Sequence, residues 1–389
     1  MAVINQVYQV INLATQQAWG KNAVEIVDTQ SLIAMGDYII NSSDVNSRDV
    51  FTKALTDIIG KTIFVSREYR GADLGLSRDE YEYGGIVRKI RVKPRLTQYN
   101  NEYNFTNENF NPWEISVPTV DEKLFSKFGT YSLTVTVTDN QIFTAFKSNE
   151  EMMSFYSLIY KQLNDCIKRG EEAYDRMALA NFIGEKFKLQ DSQANKKHTM
   201  NVLKKYNDTF GTDLKVKDIW TSPEFLRYFT SVVSEYKDYM AEDTDVFNGS
   251  DGYLSQTPED YMNFYMLKAV DARLAAYLYS DTFHESMIHL NKYKTVSFWQ
   301  GIGDSDSFNP DSTSKIHLNL ASDGSVLEQG GILAVMMDKD AVATFYKRPN
   351  AETWRIPQIG NNVYKSVTQM MCNDMFENGI IFYVEDEEV

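Results

Sequence analysis

Residues 129–163, GTYSLTVTVTDNQIFTAFKSNEEMMSFYSLIYKQL, decide how this chain is built. In the first part, Tyr131, Leu133, Val135 and Val137 fall on one face and Ser132, Thr134, Thr136 and Thr138 on the other. That is the period of a half-buried β-strand. The second part opens with Ser148 and Glu151 at capping-box spacing. From there Met152, Phe155, Tyr156, Ile159, Leu163, Cys166, Ile167, Tyr174 and Met177 recur at three- and four-residue steps, the signature of an amphipathic helix. Met152, Phe155, Ile159 and Leu163 are its candidate core residues. Run on to Phe187, the helix is roughly 55 to 60 Å long at a rise of about 1.5 Å per residue. It is a strut, too long for a compact domain of ordinary size, and Gly170 is the point where it either kinks or runs straight. A strand that feeds a strut at once points to a structural protein.

Upstream, the first sixty residues read as helical pieces, among them Leu32 to Ile40 and a short helix capped by Ser47 and stopped by Gly60. Lys61 to Asn140 is rich in strand formers, Asn and Tyr. Its alternating segments IFVSREY, IVRKIRVKPRL and YSLTVTVTD are separated by turn residues such as Gly84-Gly85, Asn100-Asn101 and Asn111-Pro112. It reads as an extended β excursion returning on itself rather than a compact sheet. Downstream of the strut, Asp191, Ser192, Asn195, Lys196 and Lys197 mark a solvated link. A second helix follows with Ser222 as N-cap, Pro223 at the first helical position, and Phe225, Leu226, Phe229, Val232, Val233, Tyr236 and Met240 on one face. The turn NGSDG (248–252), a strand at YMNFYML, a short helix from Asp271 to Phe283 with Leu274, Tyr277 and Leu278 inward, and the loop GIGDSDSFNPDSTS come next. The strand GGILAVMM (330–337) and a β-rich end closing on GIIFYV (379–384) complete the chain.

Composition narrows the function. With 43% hydrophobic and 13% aromatic residues in 389, the chain can bury substantial cores and is not disordered as a whole. Lys plus Arg number 39 against 54 Asp plus Glu, a net charge of −15 that opposes tight binding of a polyanion by the whole surface. The N-terminus lacks a basic region followed by an apolar core, and no run of about 18 apolar residues occurs, so neither a secretory leader nor a membrane span is expected. Cys166 and Cys372 lie far apart, and Cys166 on the helix stripe suits a reduced, packing thiol.

No motif for chemistry survives inspection, and no catalytic, cofactor or metal residue is assigned. Gly60-Lys61-Thr62 ends like a phosphate loop, but position 55, where its first glycine belongs, is Leu55 and a strand follows. His284 and His289 are five apart, a spacing that does not stack on one helical face. Asp304 and Asp306 begin like a calcium loop, yet Asn309 and Lys315 stand where glycine and glutamate belong.

One charge cluster stands out against the acidic chain. In VRKIRVKPR (87–95), Lys89, Arg91, Lys93 and Arg95 share one strand face and Ile90 and Val92 the other. As a solvated face it would guard a strand edge. As a candidate subunit interface it would dock on the acidic surface of another copy. Nucleic-acid contact is the weakest reading, because no aromatic residues interleave it.

Taken in order, an N-terminal arm, a β excursion, a long helix, a mixed region and a β-rich end resemble the major capsid proteins of tailed phages with the Hong Kong 97-type fold, most of all those of the phi-29 group and related gut phages. FGTYSLTVTVTDNQIFTAFKSNEEMMSFYSLIYKQL, QTPEDYMNFYML with DARLAAYLY, and ILAVMMDKDAVATFYKRPNAETWRIP carry the likeness. The resemblance implies an α+β chain with an N-terminal arm at 1–60, an extended β-loop at 61–146, and a peripheral domain with its spine helix at 147–266. An axial domain at 267–331 and peripheral return strands at 332–389 complete it. Asp338-Lys339-Asp340 would be a turn of the return strand, and no C-terminal immunoglobulin-like module is expected. It further implies hexamers and pentamers of an icosahedral shell in the virion, assembled in the host bacterial cytoplasm with portal and scaffolding proteins. Double-stranded DNA would be enclosed without sequence-specific binding. A nanocompartment shell of the same fold, or a carbohydrate-binding protein using the many aromatic residues, are the alternatives.

Overall fold

The computed structural model describes residues 8–9, 11–16, 25–41, 49–51, 53, 73–78, 86–92, 117, 119–145, 149–250, 252–276, 293–300, 314–347, 350–357 and 359–386. The residues that suggested a phosphate loop, His284, His289, Asp304, Asp306 and Asn309 lie outside them.

The strut is a single helix, Asn149–Ser192. Its 44 residues span about 66 Å. It passes Gly170 without a break, and that glycine has a packing task. A Cβ there would lie 3.1 Å from the ring of Tyr131, whose hydroxyl donates to the Ile167 carbonyl at 3.2 Å. The stripe is buried at Ile159, Leu163 and Ile167 and half-buried at Phe155. The Met152 side chain lies outside the described residues. Two members read onto the stripe are exposed instead, Cys166 and Met177. Each sits about 100° around the helix from a neighbour that takes the core position, Ile167 and Ala178. From Ala178 to Phe187 every residue is buried, Asn181, Glu185 and Lys186 included. The helix is amphipathic where it lies on the surface and enclosed on all sides where it enters the body.

The first sheet is built on strand β13 (Gly360–Asn373), which β4 (Phe128–Thr138) accompanies antiparallel from Gly360↔Thr138 to Met370↔Phe128. On the opposite edge, β12 (Asn350–Ile356) pairs with Gly360 to Ser366 and β11 (Val342–Tyr346) with Gln369 to Asn373. A two-residue β1 (Ser77–Arg78) joins β11 in parallel. The alternation read in β4 holds: Val135 and Val137 are buried while Ser132, Thr134 and Thr136 are exposed. Over 61–140 an extended β excursion returning on itself rather than a compact sheet is expected; within that range, β1 and β4 pair with β11 and β13 of this sheet. Gly360 sits so close to β4 that a Cβ would come 2.1 Å from the Val137 carbonyl oxygen. Gly360→Ala should therefore pry the two strands apart and lower the urea midpoint by the equivalent of about 2 kcal/mol or more, against at most about 0.5 kcal/mol for an ordinary surface change.

The second sheet has the order β5-β14-β10-β6-β7, with β5 at Thr199–Asn201, β6 at Met262–Leu267, β7 at Lys294–Val296, β10 at Ile332–Asp338 and β14 at Gly379–Tyr383. All seven residues of β10 are buried, and the flanking helices explain why. On one face of β14, Gly379 and Tyr383 meet Phe182 and Phe187 of the spine helix. On the other, Phe382 meets Phe229 and Tyr236 of the helix Pro223–Ala241. A sheet covered on both faces reads as a continuous apolar run. It joins strands from either side of the boundaries expected at 266/267 and 331/332. The covering helix starts as its sequence predicts, with Ser222 Oγ accepting from the Phe225 amide at 3.3 Å. The helix expected from Asp271 begins at Lys268, straight out of β6, and is described to Leu274; Tyr277 and Leu278 lie outside the described residues.

A hairpin of β8 (Ile316–Asn319) and β9 (Val326–Gln329) closes over the spine helix at Gly184, where a Cβ would lie 2.6 Å from Leu320. The solvated link expected near Lys196 is corrected at that residue. Lys196 is buried and its ammonium donates to the carbonyls of Asn248 and Ser250 at 3.1 and 2.5 Å. Turn carbonyls, which need donors once buried, draw the charge inward. Among the described residues no helix is long and apolar enough to cross a membrane.

Candidate assembly interface

The basic strip lies on a two-stranded hairpin of β2 (Val87–Val92) and β3 (Val120–Phe125), paired from Val87↔Phe125 to Val92↔Val120. A pair of strands has little stability alone, so what holds this one is decisive. Its two faces differ sharply. Val87, Lys89, Arg91, Asp121, Lys123 and Phe125 turn toward the body, and Arg88, Ile90, Val92, Val120, Glu122 and Leu124 toward solvent.

At the inner face, Val87 and Phe125 pack with Phe345 against Ala343, Met370 and Cys372 of the first sheet. Alongside, the cations converge on the turn between β13 and β14. Lys89 Nζ lies 2.8 Å from an Asp374 carboxylate oxygen and 2.5 Å from Glu377. Lys123 Nζ is 3.3 Å from Asp374, and Arg91 pairs with Glu377. Arg91 also donates to the Phe376 carbonyl at 2.8 Å, and the Phe376 ring lies beneath both Arg91 and Lys123, at 5.8 and 5.0 Å. Nearby, Arg78 reaches the Lys339 carbonyl at 2.8 Å and the Asp340 carboxylate at 2.5 Å.

Asp374 is nearly inaccessible. Burial alone would raise its pKa, but Lys89, Lys123 and Arg91 outweigh it and hold the carboxyl below its usual 3.8. A lowered carboxyl pKa gives stability that is fully present above pH 3.8 and lost as pH falls through the lower folded value. In urea unfolding, the wild type should therefore lose more stability than Asp374→Asn between pH 5 and pH 2. Equal slopes would show that the ion cluster contributes nothing to folding.

In the folded chain, then, Lys89 and Arg91 do not present a free basic face. Their acidic partners lie about 285 positions downstream in the same chain, Asp374 and Glu377. Lys93 and Arg95 lie outside the described residues. Sequence reading missed Asp374, Phe376 and Glu377, although NDMFENG, two acids flanking a phenylalanine at a turn, carries the signal. It also missed Lys186, wholly buried on the spine helix, whose Nζ donates to the carbonyls of Phe247 at 3.0 Å, Glu377 at 3.1 Å and Met375 at 3.5 Å. Burial pulls that ammonium down to about 7, against the opposing pull of Asp374 and Glu377.

The outer face carries four large aliphatic residues, Ile90, Val92, Val120 and Leu124, each more than half exposed at 53, 59, 56 and 55%. Among the described residues one ion pair shares this face, Arg88 with Glu122 at 2.6 Å, lying between Leu124 and Ile90. Four exposed aliphatic side chains gathered on one face of a short strand pair suit a contact surface. Among the described residues no group of three or more His, Cys, Asp or Glu is placed to hold a metal ion.

Among solved structures the chain is similar to the capsid structure of Staphylococcus phage Andhra, at 12% identity over 83% of this chain and 86% of that one, with a TM-score of 0.50. It also matches the capsid structure of the cyanophage P-SCSP1u, at 11% identity over 84% and 91%, with a TM-score of 0.47. No curated protein matches. The Phi29-like phage major capsid protein family matches residues 11–383, nearly the whole chain, and the chain belongs to that family. Its role is structural: a shell-forming subunit of a phage virion that assembles with copies of itself.

Proposed function

We propose that the subunit forms hexamers and pentamers of an icosahedral shell around double-stranded DNA. Assembly would take place in the host bacterial cytoplasm with portal and scaffolding proteins. In this reading, residues 1–60 serve as the N-terminal arm, 61–146 as the extended loop, 147–266 and 332–389 as the peripheral domain, and 267–331 as the axial domain. The observation that carries the reading is the two-faced β2–β3 hairpin. Its inner face is pinned to its own subunit by ions, and its outer face is left apolar. Across a shell, weak contacts repeated many times hold the whole, and closure by symmetry spares strand edges from endless pairing. A net charge of −15 suits a container that must not grip the DNA it encloses.

The strip itself contributes in two ways. Lys89 and Arg91 fix the pose of the hairpin, and Lys93 and Arg95, further along the loop, are the members proposed to meet a neighbouring subunit. Reversing charge at Arg91 and Lys93 tests both roles at once. A carboxylate at position 91 would face Asp374 and Glu377 and release the hairpin while the two sheets keep their own cores; the double variant should remain a soluble subunit and form few or no particles. Particles at wild-type yield would overturn the proposal.

A further inference from the structure

The turn that anchors the hairpin is also gripped from beneath, by the spine helix. Asp374 and Glu377 offer their carboxylates to Lys89, Arg91 and Lys123. The backbone carbonyls of Met375 and Glu377 point the other way, into the body, where both accept from Lys186. A second tie lies one residue before the turn: Asn373 Nδ2 donates to the Ala178 carbonyl of the same helix at 3.0 Å. The turn is also tied to residues 247–249, through Gly249 N to Met375 O at 2.8 Å and Gly379 N to Phe247 O at 3.1 Å. An ammonium has three donors, and Lys186 finds three carbonyls. Among the described residues no carboxylate bonds it directly, so its hydrogen bonds fix backbone rather than neutralise an acid.

We infer that Lys186 is a positioning residue for the hairpin. By holding the carbonyls of Met375 and Glu377 it sets where the carboxylates of Asp374 and Glu377 stand, and through them the pose in which the β2–β3 hairpin is presented. The spine helix and the hairpin are thereby coupled through one turn, although Lys186 touches no residue of the hairpin in any of its hydrogen bonds. The coupling is a property of the single subunit and does not depend on which face meets a neighbour.

Hydrogen exchange on the full chain tests this. In Lys186→Met, amides of 86–92 and 120–125 should exchange at least about tenfold faster than in the wild type, a factor equivalent to ~1.4 kcal/mol. Asp374→Asn should raise exchange in the same two segments. The double variant should be no faster there than the faster single one, because both changes break one chain of contacts. Lys186→Arg, which keeps the charge and the donors, should restore part of the protection. Where Lys186→Met does not fold, Asn373→Ala removes the other tie between turn and helix and should loosen the same segments. A purely structural role predicts something else: faster exchange at 178–187 and 379–383 with the hairpin unchanged. That pattern, or additive effects in the double variant, would overturn the inference.

Discussion

Replacing Ile90 and Leu124 together by aspartate is expected to leave a folded subunit that forms no shells. Both side chains are more than half exposed, so the body loses little by the change, within about 0.5 kcal/mol for each as at other surface positions. In an assembly the balance is different. Burying an aliphatic side chain of this size yields about 1.5–3 kcal/mol, and that gain is lost at each position in every copy. Worse, a carboxylate carried into an apolar contact must be desolvated with no cation to meet it, and Glu122 already occupies Arg88 on that face. Sedimentation velocity should show the variant as subunits or small oligomers, with an unfolding midpoint like that of the wild type. Shells in normal yield would mean that the outer face of the hairpin is not a contact.

The second large effect lies inside the subunit. Phe182→Ala should cost about 3–5 kcal/mol in urea unfolding, the usual range for a buried aromatic ring removed from a tight core. Phe182 is fully inaccessible, and β14 has adapted to it. A Cβ at Gly379 would lie 2.8 Å from the ring, so the strand passes there only because the residue is glycine. The cavity left by the ring is bordered by backbone on that side and cannot readily collapse. Met177→Ala, on the exposed side of the same helix, should change stability by no more than about 0.5 kcal/mol. A loss below about 1 kcal/mol for Phe182→Ala would contradict the enclosure of the helix by the second sheet. Ile159→Ala, nearer the other end and equally on the core stripe, should cost about 2–5 kcal/mol.

Much of this fold was legible in local pattern. Alternation in 129–138 marked β4, the apolar steps from Met152 to Leu163 marked the spine helix, and Ser222-Pro223 marked the start of the covering helix. What local pattern could not carry was pairing at long range. Nothing near Phe128 to Thr138 says that its partner is Gly360 to Met370, and nothing near Lys89 says that two acids wait at 374 and 377. The strip was therefore read as a free basic face with its aliphatic residues on the other side. Within 87–92 the two faces are those the alternation separates, but the alternation does not say which of them looks inward. Periodicity separates two faces of a strand; it takes a partner to decide which is buried. The same limit explains Lys196 and Lys186. A lysine in sequence signals solvent until unpaired backbone carbonyls converge on it, and those carbonyls belong to turns far along the chain.

The central claim is that the hairpin presents its aliphatic face to another copy of the subunit while its basic face stays bound to its own. A cryo-electron microscopy reconstruction of particles formed by the full chain tests it most directly. The expected map shows closed shells in which Ile90, Val92, Val120 and Leu124 lie against a neighbouring subunit and Lys89 and Arg91 remain on Asp374 and Glu377 of their own. A map in which those four residues face solvent, or in which Lys89 and Arg91 cross to the acids of a neighbour, would contradict it.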